Sequence, residues 1–82
     1  MEQVYSVYEK DERNQYLCEY FGTDRESAIK YLKMRVAILD QELKEWKKEV
    51  GIYYYIWRNE ERFREIQLKV LDVEKKEVDS ND

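Results

Sequence analysis

The sequence predicts an α+β domain, ββαββ, in which two β-hairpins flank one long amphipathic helix and a four-stranded sheet packs on that helix. Three observations predict it. Segments 3–9 and 15–21 are rich in Val, Tyr, Phe and Leu, with a polar stretch between them. Apolar residues then recur at spacings of three and four from Ala28 to Val50. Finally, segment 52–58 is almost wholly apolar, and residues 64–70 alternate with a period of two.

The first two segments read as a hairpin joined by Lys10-Asp11-Glu12-Arg13-Asn14, where Asp and Asn accept turn conformations. Thr23, with Glu26 three residues on, reads as a capping box for the helix that follows. That helix is predicted from Asp24 to Val50, with Ala28, Leu32, Val36, Leu39, Leu43, Trp46 and Val50 as its stripe. Gly51 stands where a left-handed C-cap needs no Cβ.

A helix of this length would run about 40 Å. A seven-residue strand spans only about 23 Å. Either the helix breaks at the polar Asp40-Gln41-Glu42, or Leu43, Trp46 and Val50 overhang the sheet. In the second case a two-fold homodimer covers them, with those three residues at its interface. The homodimer is the expectation.

Segments 52–58 and 63–73 form the second hairpin through Asn59-Glu60-Glu61-Arg62. A two- or four-residue loop sets Tyr55 opposite Ile66, Tyr53 opposite Leu68 and Trp57 opposite Arg64. Ile52, Tyr54 and Ile56 then share the other face with Glu65, Gln67 and Lys69. The expected core is Tyr5, Val7, Cys18, Tyr20, Leu32, Val36, Leu39, Leu43, Tyr53, Tyr55, Ile66, Leu68 and Val70. Residues 1–73 are read as one domain, and the acidic 74–82 as a frayed tail.

Composition narrows the function. The 82 residues include no His, no Pro, one Cys and two Gly. Zinc sites of the Cys/His type, histidine bases, internal disulfides and glycine-rich phosphate loops are therefore excluded, and no cofactor or metal is expected. The hydroxyls have no visible base, so the chain is not expected to be an enzyme. A histidine-free nuclease would look to Arg58, Arg62 and Arg64 with the tyrosines. Carboxylate pairs at Asp11/Glu12 and Glu60/Glu61 read as solvated turn residues.

The net charge is −4, with the two ends acidic and the middle nearly balanced. Nucleic acid is thus not the expected partner. The alternative reading keeps it, through Lys30, Lys33, Lys44 and Lys47 and exposed tyrosines that stack on bases. The longest apolar run is the six residues Ile52–Trp57, too short for a membrane span. No segment reads as a signal peptide, so a cytoplasmic location is expected.

Eight tyrosines, two tryptophans and two phenylalanines exceed what one helix can cover. Tyrosine serves sheets well, and it also serves protein interfaces. The uncovered sheet face, with Ile52, Tyr54 and Ile56, is therefore the candidate partner-binding surface. In size, acidity and lack of catalytic groups the chain resembles small phage- and mobile-element proteins that bind and inhibit a host protein. The expected function is a non-catalytic protein-binding module, an inhibitor or regulator of a larger protein.

Overall fold

The computed structural model describes residues 2–73, with the side chains of Cys18 and Val73 excepted; the expected tail lies outside these residues. β1 (Glu2–Asp11) and β2 (Tyr16–Gly22) form the first hairpin. Its turn is built on Asp11. The Asp11 Oδ1 accepts the backbone N–H groups of Arg13 (3.0 Å) and Gln15 (3.2 Å), and its carbonyl accepts that of Asn14 (2.8 Å). Asn14 takes the left-handed conformation, φ 62°, which Asn tolerates. A β-bulge near the turn sets Glu9 opposite Cys18 but Lys10 opposite Tyr16, leaving Leu17 extra.

The helix α1 spans Arg25–Glu42. Its N-cap is Asp24 rather than Thr23, which lies one residue too early. Asp24 is extended and its carboxylate accepts both the backbone N–H (3.2 Å) and the hydroxyl of Ser27. The helix also stops eight residues before Val50. Leu43 closes the last helical bond to the Leu39 carbonyl (2.7 Å), and the Trp46 N–H returns to the Leu43 carbonyl (2.9 Å). The chain then reverses into β3 (Lys47–Gly51), which pairs with β4 (Tyr54–Asn59).

The predicted overhang is thereby resolved. An 18-residue helix is about 27 Å long and fits within the roughly 33 Å of the ten-residue β1. Residues 47–51 leave the helix and enter β3 instead. As a strand, the same residues satisfy their backbone groups against β4. The sheet has five antiparallel strands in the order β2-β1-β5-β4-β3, not four, and the element order is ββαβββ. Gly51 ends β3 opposite Tyr54 instead of capping a helix.

The second hairpin keeps the predicted register for Tyr55 with Ile66 and Trp57 with Arg64, around the loop Glu60-Glu61. Ile52 and Tyr53 depart from it, since they form the turn between β3 and β4. Tyr53 adopts φ 56°, an uncommon conformation for a non-glycine residue. Two bonds hold it there: its carbonyl accepts the Leu68 N–H (3.0 Å), and its hydroxyl accepts from Arg25 Nη2 (3.0 Å).

The centre of the sheet is the ten-residue pairing of β1 with β5 (Arg62–Val73), from Glu2 opposite Val73 to Asp11 opposite Arg64. The helix closes one face over Tyr5, Val7, Trp57, Ile66 and Leu68, contributing Ala28, Leu32, Leu39 and its cap Leu43. Tyr20, Val36, Tyr53 and Tyr55 pack partly against this cluster, and the Tyr20 and Tyr31 rings stack at 5.4 Å. Val70, expected in the core, is 47% exposed. It lies in the row Gly22–Tyr5–Val70, where the chain leaves β2 for the helix and cover runs out.

Two polar anchors fix the helix to the sheet. Glu9 on β1 is 1% exposed and receives Arg35 from the helix through two bonds, 2.5 and 3.2 Å. In the last helical turn, Asp40 accepts the Trp57 indole N–H (3.1 Å) and pairs with Lys48 of β3 (2.8 Å). The Lys48 ammonium also lies over the Tyr55 and Trp57 rings, at 5.7 and 5.6 Å.

Arg35→Met strands a buried carboxylate and should cost about 3–5 kcal/mol in urea unfolding, while Glu9→Met combined with Arg35→Met should recover most of that loss. At the hairpin turn, burial acts to raise the Asp11 carboxyl. The Gln15 and Arg13 backbone N–H groups and the Arg13 guanidinium outweigh it and hold it below its ordinary value. The stabilisation is therefore complete above the unfolded value of about 3.9 and is lost as pH falls toward the folded one. The stability gap between wild type and Asp11→Ala should be constant from neutral pH down to that value and shrink below it.

Candidate functional site

The face away from the helix is ordered as rows across the strands, because alternate residues of each strand point the same way. One row runs Glu19–Tyr8–Gln67–Tyr54 across β2, β1, β5 and β4. The next runs Tyr16–Lys10–Glu65–Ile56–Glu49 across all five strands. Phe21 stands opposite Ser6 at one end, and Phe63 opposite Arg58 at the other.

The aromatic rings here are linked. The Tyr8 and Tyr16 rings meet at 5.5 Å, and the Lys10 ammonium lies 5.8 Å from the centre of Tyr8. The Tyr8 hydroxyl donates to Gln67 Oε1 (2.5 Å), fixing that ring over the middle strand. Phe21 and Tyr16 are 69% and 56% exposed, whereas Tyr8, Tyr54 and Phe63 are half-buried. Ile56 is only 5% exposed, enclosed in its row by Glu65 and Glu49. Arg58 pairs with Glu49 at 3.6 Å.

Burial raises the Tyr8 phenol above its ordinary value, and the nearby Glu65 charge raises it further, with lesser effects from Tyr16 and Tyr54. Tyr54 is raised by the same two causes, burial and Glu65, against an opposing effect of Arg58 and a further raising one of Glu49. Glu65 thus stands between two tyrosines on neighbouring strands. Among the described residues, neither Glu65 nor the exposed Glu19 makes an ion pair.

The structure separates the residues singled out in the sequence. Tyr54 and Ile56 do share the uncovered face, but Ile52 sits in the β3–β4 turn, 89% exposed. Of the expected dimer residues, Leu43 is buried in this chain's own core. Trp46 packs against that core with the Arg62 guanidinium 5.5 Å above its ring. Val50 is exposed on β3. The overhang that called for a dimer there does not exist. Lys30 and Lys33 lie on the helix, Lys44 beyond its end, and Lys47 on β3. Arg62 approaches Glu12 at 3.7 Å. Arg58 and Arg64 point to opposite faces, given their partners Phe63 and Trp57. Among the described residues no three of His, Cys, Asp and Glu are grouped to hold a metal.

Tyr8, Tyr16 and Phe21 were absent from the expected surface. The alternation Tyr5/Val7 against Ser6/Tyr8 carried the signal for Tyr8. The bulge that turns Tyr16 toward Tyr8 had none.

No family model, curated protein or solved structure matches the chain. No helix among the described residues is long and apolar enough to cross a membrane.

With each tyrosine labelled at Cζ, NMR titration should show Tyr8 and Tyr54 ionising above about 10. Glu65→Gln should lower both. Because the folded values are raised, the stability these phenols contribute is full below the unfolded value and is lost as pH rises through the folded ones.

Proposed function

We propose that the chain is a small non-catalytic protein-binding module that inhibits or regulates a larger protein through the uncovered face of its sheet. One observation carries the reading. Five aromatic side chains, Tyr8, Tyr16, Phe21, Tyr54 and Phe63, lie on the face opposite the single helix, around an enclosed aliphatic residue, Ile56. Large, fairly rigid, amphipathic rings around a desolvated centre suit a protein interface. Glu65 and Glu19 add charge without a partner in the described residues, so a surface offering Lys or Arg between apolar side chains complements the face. The excess of exposed aromatic area over grouped catalytic side chains among the described residues favours an inhibitor or regulator of the kind that phages and mobile elements encode.

The test is capture from a cell extract by immobilised wild type and by a Tyr8→Ala/Tyr54→Ala variant with unchanged circular dichroism. A protein retained by wild type and reduced at least about tenfold by the variant is expected, since two central aromatic truncations each cost on the order of 1–2 kcal/mol or more. Equal retention by both, or no partner above background, contradicts the reading.

A further inference from the structure

The two edges of the sheet are unlike. Strand β3 is five residues long, and three of these are charged: Lys47, Lys48 and Glu49. Lys48 is tied to Asp40 and Glu49 to Arg58, so these charges stand along the edge in fixed pairs. Charged short edges of this kind discourage an incoming strand. Strand β2 is seven residues long with one charge, Glu19. No Lys, Arg or Pro occurs from Asn14 to Asp24. Tyr16, Leu17 and Phe21 are 56%, 43% and 69% exposed along it. The bulge at Leu17 protects only the end nearest the turn, and residues 18–22 pair regularly with β1.

An edge strand presents a row of N–H and C=O groups facing outward. We propose that β2 pairs antiparallel with β2 of a second copy of this chain, about a two-fold axis at Tyr20, joining the two sheets into one of ten strands. The unguarded edge suits a like edge, the β2 of a second copy, and its one charge selects the register. An axis at Glu19 would set two carboxylates face to face, which is unfavourable. An axis at Tyr20 sets Glu19 opposite Phe21 of the second copy, twice, and opposes no like charges within 18–22. It also keeps the two helices on one side and the two aromatic faces on the other, because directly opposed residues share a face.

This interface is separate from the dimer expected around Trp46, and it does not depend on the proposed partner-binding role of Tyr8 and Tyr54. A five-residue strand pairing is small compared with the roughly 1,200 Å² of standard stable interfaces, so the dimer dissociates in about the micromolar to millimolar range.

Sedimentation equilibrium from micromolar concentrations to about 1 mM tests it, since that range spans the expected midpoint. Wild type should pass from 10.2 kDa toward twice that mass. Phe21→Glu places a carboxylate opposite Glu19 at two sites and should weaken association about tenfold or more, while Phe21→Lys creates two opposite-charge pairs and should retain or strengthen it. A general aromatic contact through this face would instead be weakened by both. Exchange of the β2 amide hydrogens should also slow as wild type is concentrated, a readout that needs no variant. A mass fixed at 10.2 kDa, loss of the dimer in both variants, loss in neither, or β2 exchange independent of concentration overturns the proposal.

Discussion

Among the described residues one helix has to serve a five-stranded sheet. Eighteen residues of helix cover one face of that sheet and nothing among the described residues covers the other. The rest of the architecture answers that constraint. The helix is held where it covers most, across the long central strands, by the buried Arg35–Glu9 pair at its middle and by Asp40 at its end. Buried ion pairs add little net stability over an apolar substitute, but they fix position. Glu9, buried on β1, fixes Arg35 through two bonds.

Asp40 extends the same logic beyond the helix. Its two oxygens receive an indole N–H from β4 and an ammonium from β3. The helix end, the largest core side chain and the edge strand therefore share one carboxylate. Lys48 in turn lies over Tyr55 and Trp57, covering by its stem and charge an area the helix does not reach. On the opposite face no described residue gives such cover. There the rings lean on one another and on Gln67, Lys10 and Glu65, which leaves a surface at once aromatic, polar and partly desolvated.

Much of this was legible in the sequence. The α+β class, both hairpins, the register of Tyr55 and Trp57 against β5, and most of the core follow from alternation and helical spacing. The length of the helix did not, because Leu43, Trp46 and Val50 keep the spacing of a helical stripe while serving a cap, a turn and a strand. Only the geometric mismatch with short strands pointed to Asp40-Gln41-Glu42, and the helix does end there. Ile52 and Tyr53 read as strand by their β propensity, yet Tyr53 takes a left-handed turn held by Leu68 and Arg25, partners far away in the sequence. Of the candidate site, Tyr54 and Ile56 were legible by alternation. Tyr16 was not, since a bulge decides its side and no local residue signals it.

The helix closes one face of the sheet, and the described residues leave the other open. Paramagnetic relaxation of NMR signals by a soluble gadolinium chelate, measured on a dilute sample, tests it most directly. The rings of Phe21 and Tyr16 should broaden strongly, while the Trp57 indole N–H and the Ile66 methyls stay sharp. Protection of Phe21 and Tyr16 equal to that of Ile66 would contradict the account.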